Sequence, residues 1–379
     1  MESVAPVASG AGTGGAGQEA GAGSAAAARG KRLDGRHALT CAVIAAAALT
    51  ALAAVMPKEG APRGDDLIYE EVARHPFAPH TFPFGLRFGL PLLVHLLPLP
   101  GGTGFLVLAI LAAAAAAAVA FLLMRELGAG ARVAGPLAVA MCLSPPFLVV
   151  ILRHGRNTDI ATVLLMLLAT HLAVRRRYWQ LAIALLVGVA VREAVLFVVP
   201  FAYALWAYRP VDRDAALRVL AVATPALGAY LAIRLSVPTV GKASVPGYAG
   251  PLLEQRLRVF ELGLSTPARE ARRAISVYGP LWLVAPLALG GMAFARRGLV
   301  LVALCVVAMT YALDWGRMLL LAAPVFYPAA AWVLERRPRL RLPTMAAFAL
   351  LIVVYAVYMA HSGVRTGILE AGPPPYPIR

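Results

Sequence analysis

Long apolar runs alternate with short charged turns along most of the chain. A helix that crosses the hydrocarbon core of a bilayer needs about 20 mainly apolar residues, and several of the runs approach this length. The pattern therefore predicts an all-α polytopic membrane protein with about eleven transmembrane helices, some of them short. The eleven runs span residues 38–56, 104–124, 133–152, 160–174, 181–191, 194–208, 216–233, 277–294, 298–312, 318–334 and 343–360.

Two adjacent charges interrupt one apolar stretch, residues 181–208. Arg192 and Glu193 stand near its middle, and a charge at the centre of a bilayer costs at least about 2.5–3.5 kcal/mol. Two short helices that meet at this pair avoid the cost, so we predict a break there. The resulting topology puts the short basic turns on one side, as expected for cytoplasmic loops. It predicts a multi-pass protein with its N-terminus in the cytoplasm and its C-terminus outside.

Composition supports a membrane protein. Hydrophobic residues make up 60% of the chain and charged residues only 14%, against about 25% charged in a soluble domain. The net charge of +16 would suggest nucleic-acid binding in a soluble protein, but no basic patch is interleaved with aromatic residues. We therefore expect membrane lipid as a partner and no nucleic acid. The three cysteines are scattered through apolar runs and form no disulfide or metal pattern.

The chain divides into two unequal parts. Residues 1–36 are rich in alanine and glycine and predict a disordered cytoplasmic tail. Residues 37–379 form the predicted transmembrane domain. Two long outer loops, residues 57–103 and 236–276, contain apolar segments with scattered charges, and these segments suit helices that lie in the membrane interface.

Four charged junctions face the outer side in this topology. Ionisable residues at membrane depth are costly, so they are candidates for a functional site. Tyr69 lies on the same helix face as Asp65, whereas Glu70 and Glu71 are expected to form a solvated face of that helix. The junctions contain Asp65 and Asp66; Arg153, Arg156 and Asp159; Arg192 and Glu193; and Asp314 and Arg317.

Three of the four junctions also have a structural explanation. Helix N-caps would account for Asp65, Asp66 and Asp159, and an i,i+3 ion pair for Asp314 with Arg317. Arg192 and Glu193 are harder to explain in this way. They are adjacent, so on a helix their side chains diverge and need separate partners.

Several segments together resemble the type C superfamily of membrane glycosyltransferases, which use lipid-phosphate sugars and include protein O-mannosyltransferases and lipid A aminoarabinose transferases. The chain carries an Asp-acid-x-x-Tyr motif after the first span and an Arg-x-x-x-Pro segment around Arg87. The likeness extends over roughly residues 37–335. At the charged tip, several members carry a Lys-Gly or similar pair where this chain has Arg-Glu. The similar segments are DDLIY (65–69), PFGLRFGLPLL (83–93), RNTDIATVLLMLL (156–168), RRRYWQLAIALLVGVAVRE (175–193) and DWGRMLLLAAP (314–324).

The resemblance implies a hexosyl or pentosyl transferase in a bacterial plasma membrane. Its donor would be a polyprenyl-phosphate sugar, and its acceptor a glycan, lipid or protein of the cell envelope at the extracytoplasmic face. Asp65 is then the expected general base, with Asp66 as the second candidate. Arginines are expected to bind the phosphate. The expected substrate-binding residues are Tyr69, Arg87, Arg153, Arg156, Asp159, Arg192, Glu193, Asp314 and Arg317.

Three alternatives remain open from the sequence. No cofactor or metal is expected, but a divalent ion held by Asp65 and Asp66 is an alternative, because hard cations bind carboxylate oxygens. A transporter or flippase for a lipid-linked or small anionic substrate is the rival function. A non-catalytic membrane protein of the same fold is the third.

Overall fold

The described part of the chain is built from α-helices. The computed structural model describes residues 16–56, 65–81, 84–152, 155–237, 239–240, 267–309 and 315–361. Its first helices are α1 (Ala16–Val55), α2 (Asp65–Arg74), α3 (Gly89–Leu96), α4 (Gly101–Glu126), α5 (Ala131–Cys142), α6 (Pro145–Leu152), α7 (Asp159–Val174) and α8 (Tyr178–Val191). Then follow α9 (Val198–Trp206), α10 (Arg213–Ser236), α11 (Pro267–Tyr278), α12 (Leu281–Val284), α13 (Ala293–Met309), α14 (Trp315–Leu320), α15 (Ala323–Arg336) and α16 (Pro338–His361).

Short elements complete the described fold. Three 3-10 helices cover Phe84–Leu86, Glu193–Phe197 and Ala285–Gly290. The two-residue strands β1 (His80–Thr81) and β2 (Thr239–Val240) pair in parallel, with His80 opposite Thr239. This pairing ties the segment after α2 to the segment after α10.

The apolar helices support the predicted membrane class. Four of them are long and apolar enough to cross a bilayer: Leu33–Val55 within α1, and α4, α10 and α16. Two bent helix pairs bring the number to six if each pair is one span. They are α5 with α6, bent by 41°, and Ala271–Tyr278 with Leu281–Gly290, bent by 79°. Length and composition therefore identify four to six candidate spans within the described residues, and eleven stays a prediction.

The helix ends at the point where the charge pair predicted a break. Helix α8 ends at Val191, and Arg192 has an extended backbone with φ −167° and ψ 133°. The 3-10 helix then begins at Glu193. A Cβ on Gly188 would lie 2.6 Å from Cγ1 of Val195, so the glycine allows this turn to pack against α8. Arg192 and Glu193 thus stand at a junction between helices instead of in the middle of one.

The first helix begins earlier than the apolar run predicted. The sequence predicted disorder for residues 1–36, but the structure describes a continuous helix from Ala16. The alanines of this segment favour a helix, whereas its glycines oppose one, so propensity alone does not explain the helix. Residues 1–15 lie outside the described part, and the division into a tail and a membrane domain stays a prediction.

The ends of the helices gather at two opposite ends of the bundle, one of them marked by ion pairs. Arg125 at the end of α4 binds Asp34 of α1 at 2.9 Å, and Arg175 after α7 approaches Glu126 at 3.7 Å. We call this the basic end. The first turn of α4 lies at the opposite end, beside α2 and α3. We call that the junction end, because the described charged junctions lie there.

Alanines allow helix α4 to pack closely at the centre of the bundle. Its buried residues include Ala113, Ala116, Ala117 and Ala120, and it packs against α1, α5 and α7. Small residues let helix backbones approach closely in membrane proteins, where dispersion contacts hold the helices together. Helix α4 therefore connects the basic end to the junction end.

A helix forms in the first predicted interfacial segment. Helix α3 lies within residues 84–97, and Leu90, Pro91 and Val94 are buried against its neighbours. The second segment, residues 252–273, lies outside the described residues up to position 266, and α11 begins at Pro267. Placement of either segment in the membrane interface stays a prediction.

Replacement of Gly89 by alanine is expected to lower the unfolding temperature in detergent. The new Cβ would lie 2.9 Å from the carbonyl carbon and oxygen of Ala190, and backbone atoms cannot rotate away. Overpacking of this kind costs about 1–3 kcal/mol. Gly228→Ala is the matched control, since no other part of the described fold lies within 4 Å of its Cβ. Equal unfolding temperatures for Gly89→Ala and the unchanged protein, measured by circular dichroism, would contradict the close approach of α3 to α8.

Candidate functional site

A buried carboxylate at the start of α7 binds two arginines. Asp159 is only 1% exposed, and its Oδ1 accepts a hydrogen bond from Arg192. Its Oδ2 accepts from Nε of Arg317 at 2.5 Å. Asn157 Oδ1 accepts from the Asp159 backbone N–H at 2.9 Å and so shapes the turn into the helix. Asp159 is the first residue of the helix, and its side chain binds the arginines instead of serving as a simple N-cap.

The second arginine extends the network to the first predicted junction. Arg317 NH1 donates to Asp65 Oδ2 at 3.2 Å, from α14 to the start of α2. Asp65, Arg317, Asp159 and Arg192 therefore form a continuous chain of alternating charge. The sequence predicted all four as site residues, and the structure brings them together across 252 positions of sequence.

A further ion pair lies beside this network of alternating charges. Arg87 donates to both carboxylate oxygens of Glu193, from Nε at 3.0 Å and from NH2 at 2.5 Å. Its NH1 donates to the Tyr69 hydroxyl at 3.4 Å, and that hydroxyl lies 3.4 Å from Thr158 Oγ1. Thr158 precedes Asp159, so the Tyr69 hydroxyl connects the Arg87–Glu193 pair to the network around Asp159. Arg192 and Glu193 have separate partners, as their adjacency predicted.

The guanidinium of Arg87 stays charged in this setting. Burial lowers its pKa, but Tyr69 and Glu193 together raise the pKa above its ordinary value. A bidentate bond between a guanidinium and a carboxylate also fixes the orientation of both groups. Arg87 therefore holds the 3-10 helix at Glu193 against the segment that precedes α3.

Arg156 belongs to a neighbouring cluster. Its Nε lies 3.0 Å from Oε2 of Glu70, although the pair lacks hydrogen-bond alignment. Glu70 also binds Arg74 at 2.6 Å. The sequence predicted a solvated face for Glu70 and Glu71. Glu71 has a side chain that is 52% exposed, but Glu70 is partly buried by its arginines, and sequence reasoning missed this role.

Two predicted site residues cannot be placed. Arg153 and Asp314 both lie outside the residues that the structure describes. The proposed ion pair between Asp314 and Arg317 is therefore untested, whereas Arg317 binds Asp65 and Asp159.

The two neighbouring aspartates occupy different surroundings. The side chain of Asp65 is 42% exposed, whereas Asp66 is only 3% exposed. Asp65 is thus the carboxylate that an incoming molecule can reach. Within the described residues, no group of three or more His, Cys, Asp or Glu side chains is placed to hold a metal ion.

A buried aromatic cluster holds the short helix that carries Arg317. The Tyr278 hydroxyl on α11 donates to the Leu319 carbonyl at 2.6 Å. The Tyr278 ring stacks on Phe326 with 4.0 Å between centroids and 5° between planes. Sulfur of Met318 lies 3.9 Å from NH2 of Arg192. Helix α14 is therefore anchored through the two residues that follow Arg317, and sequence reasoning had not identified Tyr278 as part of this support.

Comparisons with known proteins add no family to this description. Neither the models of known protein families nor the curated proteins match the chain. The geometry of the site is therefore the basis for an inference about function. The site offers guanidinium groups that suit an anion and one accessible carboxylate that suits a proton transfer.

Replacement of Asp159 by leucine is expected to destabilise the protein by about 3–5 kcal/mol, because it leaves buried Arg192 without its carboxylate. Urea or SDS titration of the purified protein would measure the loss. Arg74→Gln is the control, since the Arg74 side chain is 63% exposed and an exposed ion pair contributes only about 0–1 kcal/mol. Adding Arg192→Met to Asp159→Leu should recover part of the loss. A loss as small as that of the control would contradict the central role of Asp159.

Proposed function

We propose that this protein is a glycosyltransferase of the plasma membrane of a bacterium. It moves a sugar from a polyprenyl-phosphate donor to an envelope acceptor at the extracytoplasmic face. One observation carries the proposal. Oδ2 of Asp65 on α2 lies 3.2 Å from NH1 of Arg317 on α14, and Asp159 binds both Arg317 and Arg192. An accessible carboxylate beside several guanidinium groups is the combination that this transfer needs.

We propose one orientation of the protein in the membrane. The junction end faces outward, and the basic end faces the cytoplasm together with the N-terminus. About eleven helices, several of them short, enter or cross the membrane, and the segments around α3 and α11 lie in its interface. Arg125 and Arg175 at the same end of the bundle support this orientation, because short cytoplasmic loops are enriched in cations.

Asp65 acts as the general base. It removes a proton from the acceptor hydroxyl, whose oxygen then forms a bond to the anomeric carbon of the sugar. The exposure of Asp65 supports this choice over the buried Asp66. General-base catalysis of this kind contributes about 10²–10⁴-fold to a rate.

The arginines stabilise the leaving group. As the new glycosidic bond forms, the bond between the anomeric carbon and the phosphate oxygen breaks, and the electron pair leaves with polyprenyl phosphate. Arg317, the more exposed of the two arginines on Asp159, binds that phosphate, and buried Arg192 adds positive charge behind it. The phosphate competes with Asp65 for Arg317, so donor binding releases the carboxylate for its role as base. The other carboxylate, Asp159, keeps both arginines in position.

The remaining groups bind or orient the sugar. The pair formed by Arg87 and Glu193 lies near the network around Asp159, and the Tyr69 hydroxyl contacts both Arg87 and Thr158. Carboxylate, guanidinium and phenol groups all form hydrogen bonds with sugar hydroxyls. Arg156, which pairs with Glu70, also lies at the junction end of the bundle. No step of the proposed reaction requires a metal ion.

Replacement of Asp65 by asparagine is expected to reduce sugar transfer at least about 100-fold, because an amide cannot accept the proton. The readout is the envelope glycan of a deletion strain that carries the unchanged gene or a variant. Glu71→Gln is the matched control, since it also removes an exposed carboxylate from α2. Glycan at the unchanged level in both Asp65→Asn and Asp66→Asn would overturn the assignment of the base.

The same strain separates the alternative functions. A missing sugar together with accumulated lipid-linked sugar indicates loss of the transferase. Lipid-linked substrate trapped on the cytoplasmic leaflet indicates a transporter or flippase. An unchanged envelope indicates a non-catalytic protein. Either the trapped lipid-linked substrate or the unchanged envelope would overturn the proposal.

A further inference from the structure

An apolar groove lies at the basic end, remote from the charged junctions. It has a volume of about 500 Å³, within the range of roughly 300–1,000 Å³ that is usual for ligand sites. Helices α1, α5 and α16 enclose it, and the buried ring of Phe121 on α4 lines it as well. The groove opens on the perimeter of the helix bundle, because Ile44 and Ala349 in its lining are exposed.

Its lining is almost entirely hydrocarbon. His37, Thr40 and Cys41 of α1 are the polar or weakly polar exceptions, and all three belong to one stretch of that helix. The Thr40 hydroxyl donates to the carbonyl of Arg36, so it is satisfied within its own helix. From His37 to Ile44 the groove extends about 10 Å along a candidate membrane span. A polar ligand would find few partners there, whereas a hydrocarbon chain fits.

Two cations stand at the mouth of the groove. Arg36 lies one helical turn before Thr40, and Arg132 lies one turn before Pro136, so both share the faces that line it. Both are exposed, and within the described residues neither forms an ion pair. Their neighbours differ, because Arg125 binds Asp34 and Arg341 binds Glu335. The mouth therefore carries two cations that no ion pair within the described part of the chain neutralises.

The groove is independent of the proposed catalytic site. Helix α4 has its first turn beside Arg156 and its last turn beside Asp34. The two ends of this helix are about 35–40 Å apart. A ligand in the groove therefore does not touch the network of Asp65 and Arg317.

We infer that the groove binds one anionic phospholipid of the membrane. One acyl chain occupies the apolar groove, and the phosphate of the headgroup lies between Arg36 and Arg132. Exposed Ile44 and Ala349 leave the groove open toward the hydrocarbon that surrounds a candidate span, which favours a membrane lipid over a soluble ligand. Each basic residue at a membrane surface strengthens binding to anionic lipid about fivefold.

The test uses the full chain in detergent and native mass spectrometry. Phosphatidylglycerol, phosphatidylcholine and inorganic phosphate are added separately, and bound lipid is counted per protein. The double variant Arg36→Gln with Arg132→Gln should weaken phosphatidylglycerol binding at least fivefold. The matched control is Arg213→Gln with Arg218→Gln, which removes two exposed cations from α10 and should leave binding unchanged.

A second variant tests the acyl chain. Ala140 lines the groove and is almost fully buried, so Ala140→Leu places three further carbon atoms in the cavity. It should reduce phosphatidylglycerol binding while the headgroup cations remain. An unfolding temperature near that of the unchanged protein would show that each variant still folds.

Several results would overturn the inference. Equal binding of phosphatidylcholine and phosphatidylglycerol would show that the cations select no headgroup. Binding of inorganic phosphate alone, unaffected by Ala140→Leu, would show that no acyl chain takes part. Displacement of phosphatidylglycerol by equimolar polyprenyl phosphate would identify another occupant. None of these results depends on sugar transfer, so the inference and the proposed function can fail separately.

Discussion

The carboxylate of Asp159 is the group on which the junction end depends. It is almost fully buried and binds Arg192 and Arg317 together. Removing a charge from water is costly, and attraction between close opposite charges offsets that cost only if both partners remain. Through this one group, α7, the break after α8 and helix α14 are joined, and Arg317 extends the connection to α2.

Apolar packing acts along the length of the helices, and ion pairs act at their ends. Helix α4 contributes alanines that permit close contact along the length of the bundle. Ion pairs then hold the helix ends, such as Arg125 with Asp34 at one end and Arg156 with Glu70 at the other. Apolar contact alone does not select one alignment among packed helices, whereas a buried ion pair penalises any shift that separates its partners.

The sequence was a good guide to which residues matter at the junction end. Ionisable residues are rare in apolar surroundings, so Asp159, Arg192 and Arg317 stood out from their positions alone. The part played by Glu70 was missed, because a carboxylate on a short polar helix looks solvated until its partners are known. Tyr278 was missed for the opposite reason, since one tyrosine in an apolar run carries no signal of its contact with Leu319.

The sequence by itself determined the membrane class, the position of the charges and the break at Arg192. These follow from local hydropathy and from the cost of a charge in hydrocarbon. Only the tertiary structure decided that Asp65 meets Arg317 and that Glu193 meets Arg87. It also decided the bend between α5 and α6 and the groove beside Phe121. Those contacts depend on how helices far apart in sequence pack, and hydropathy along the chain does not encode which partners meet.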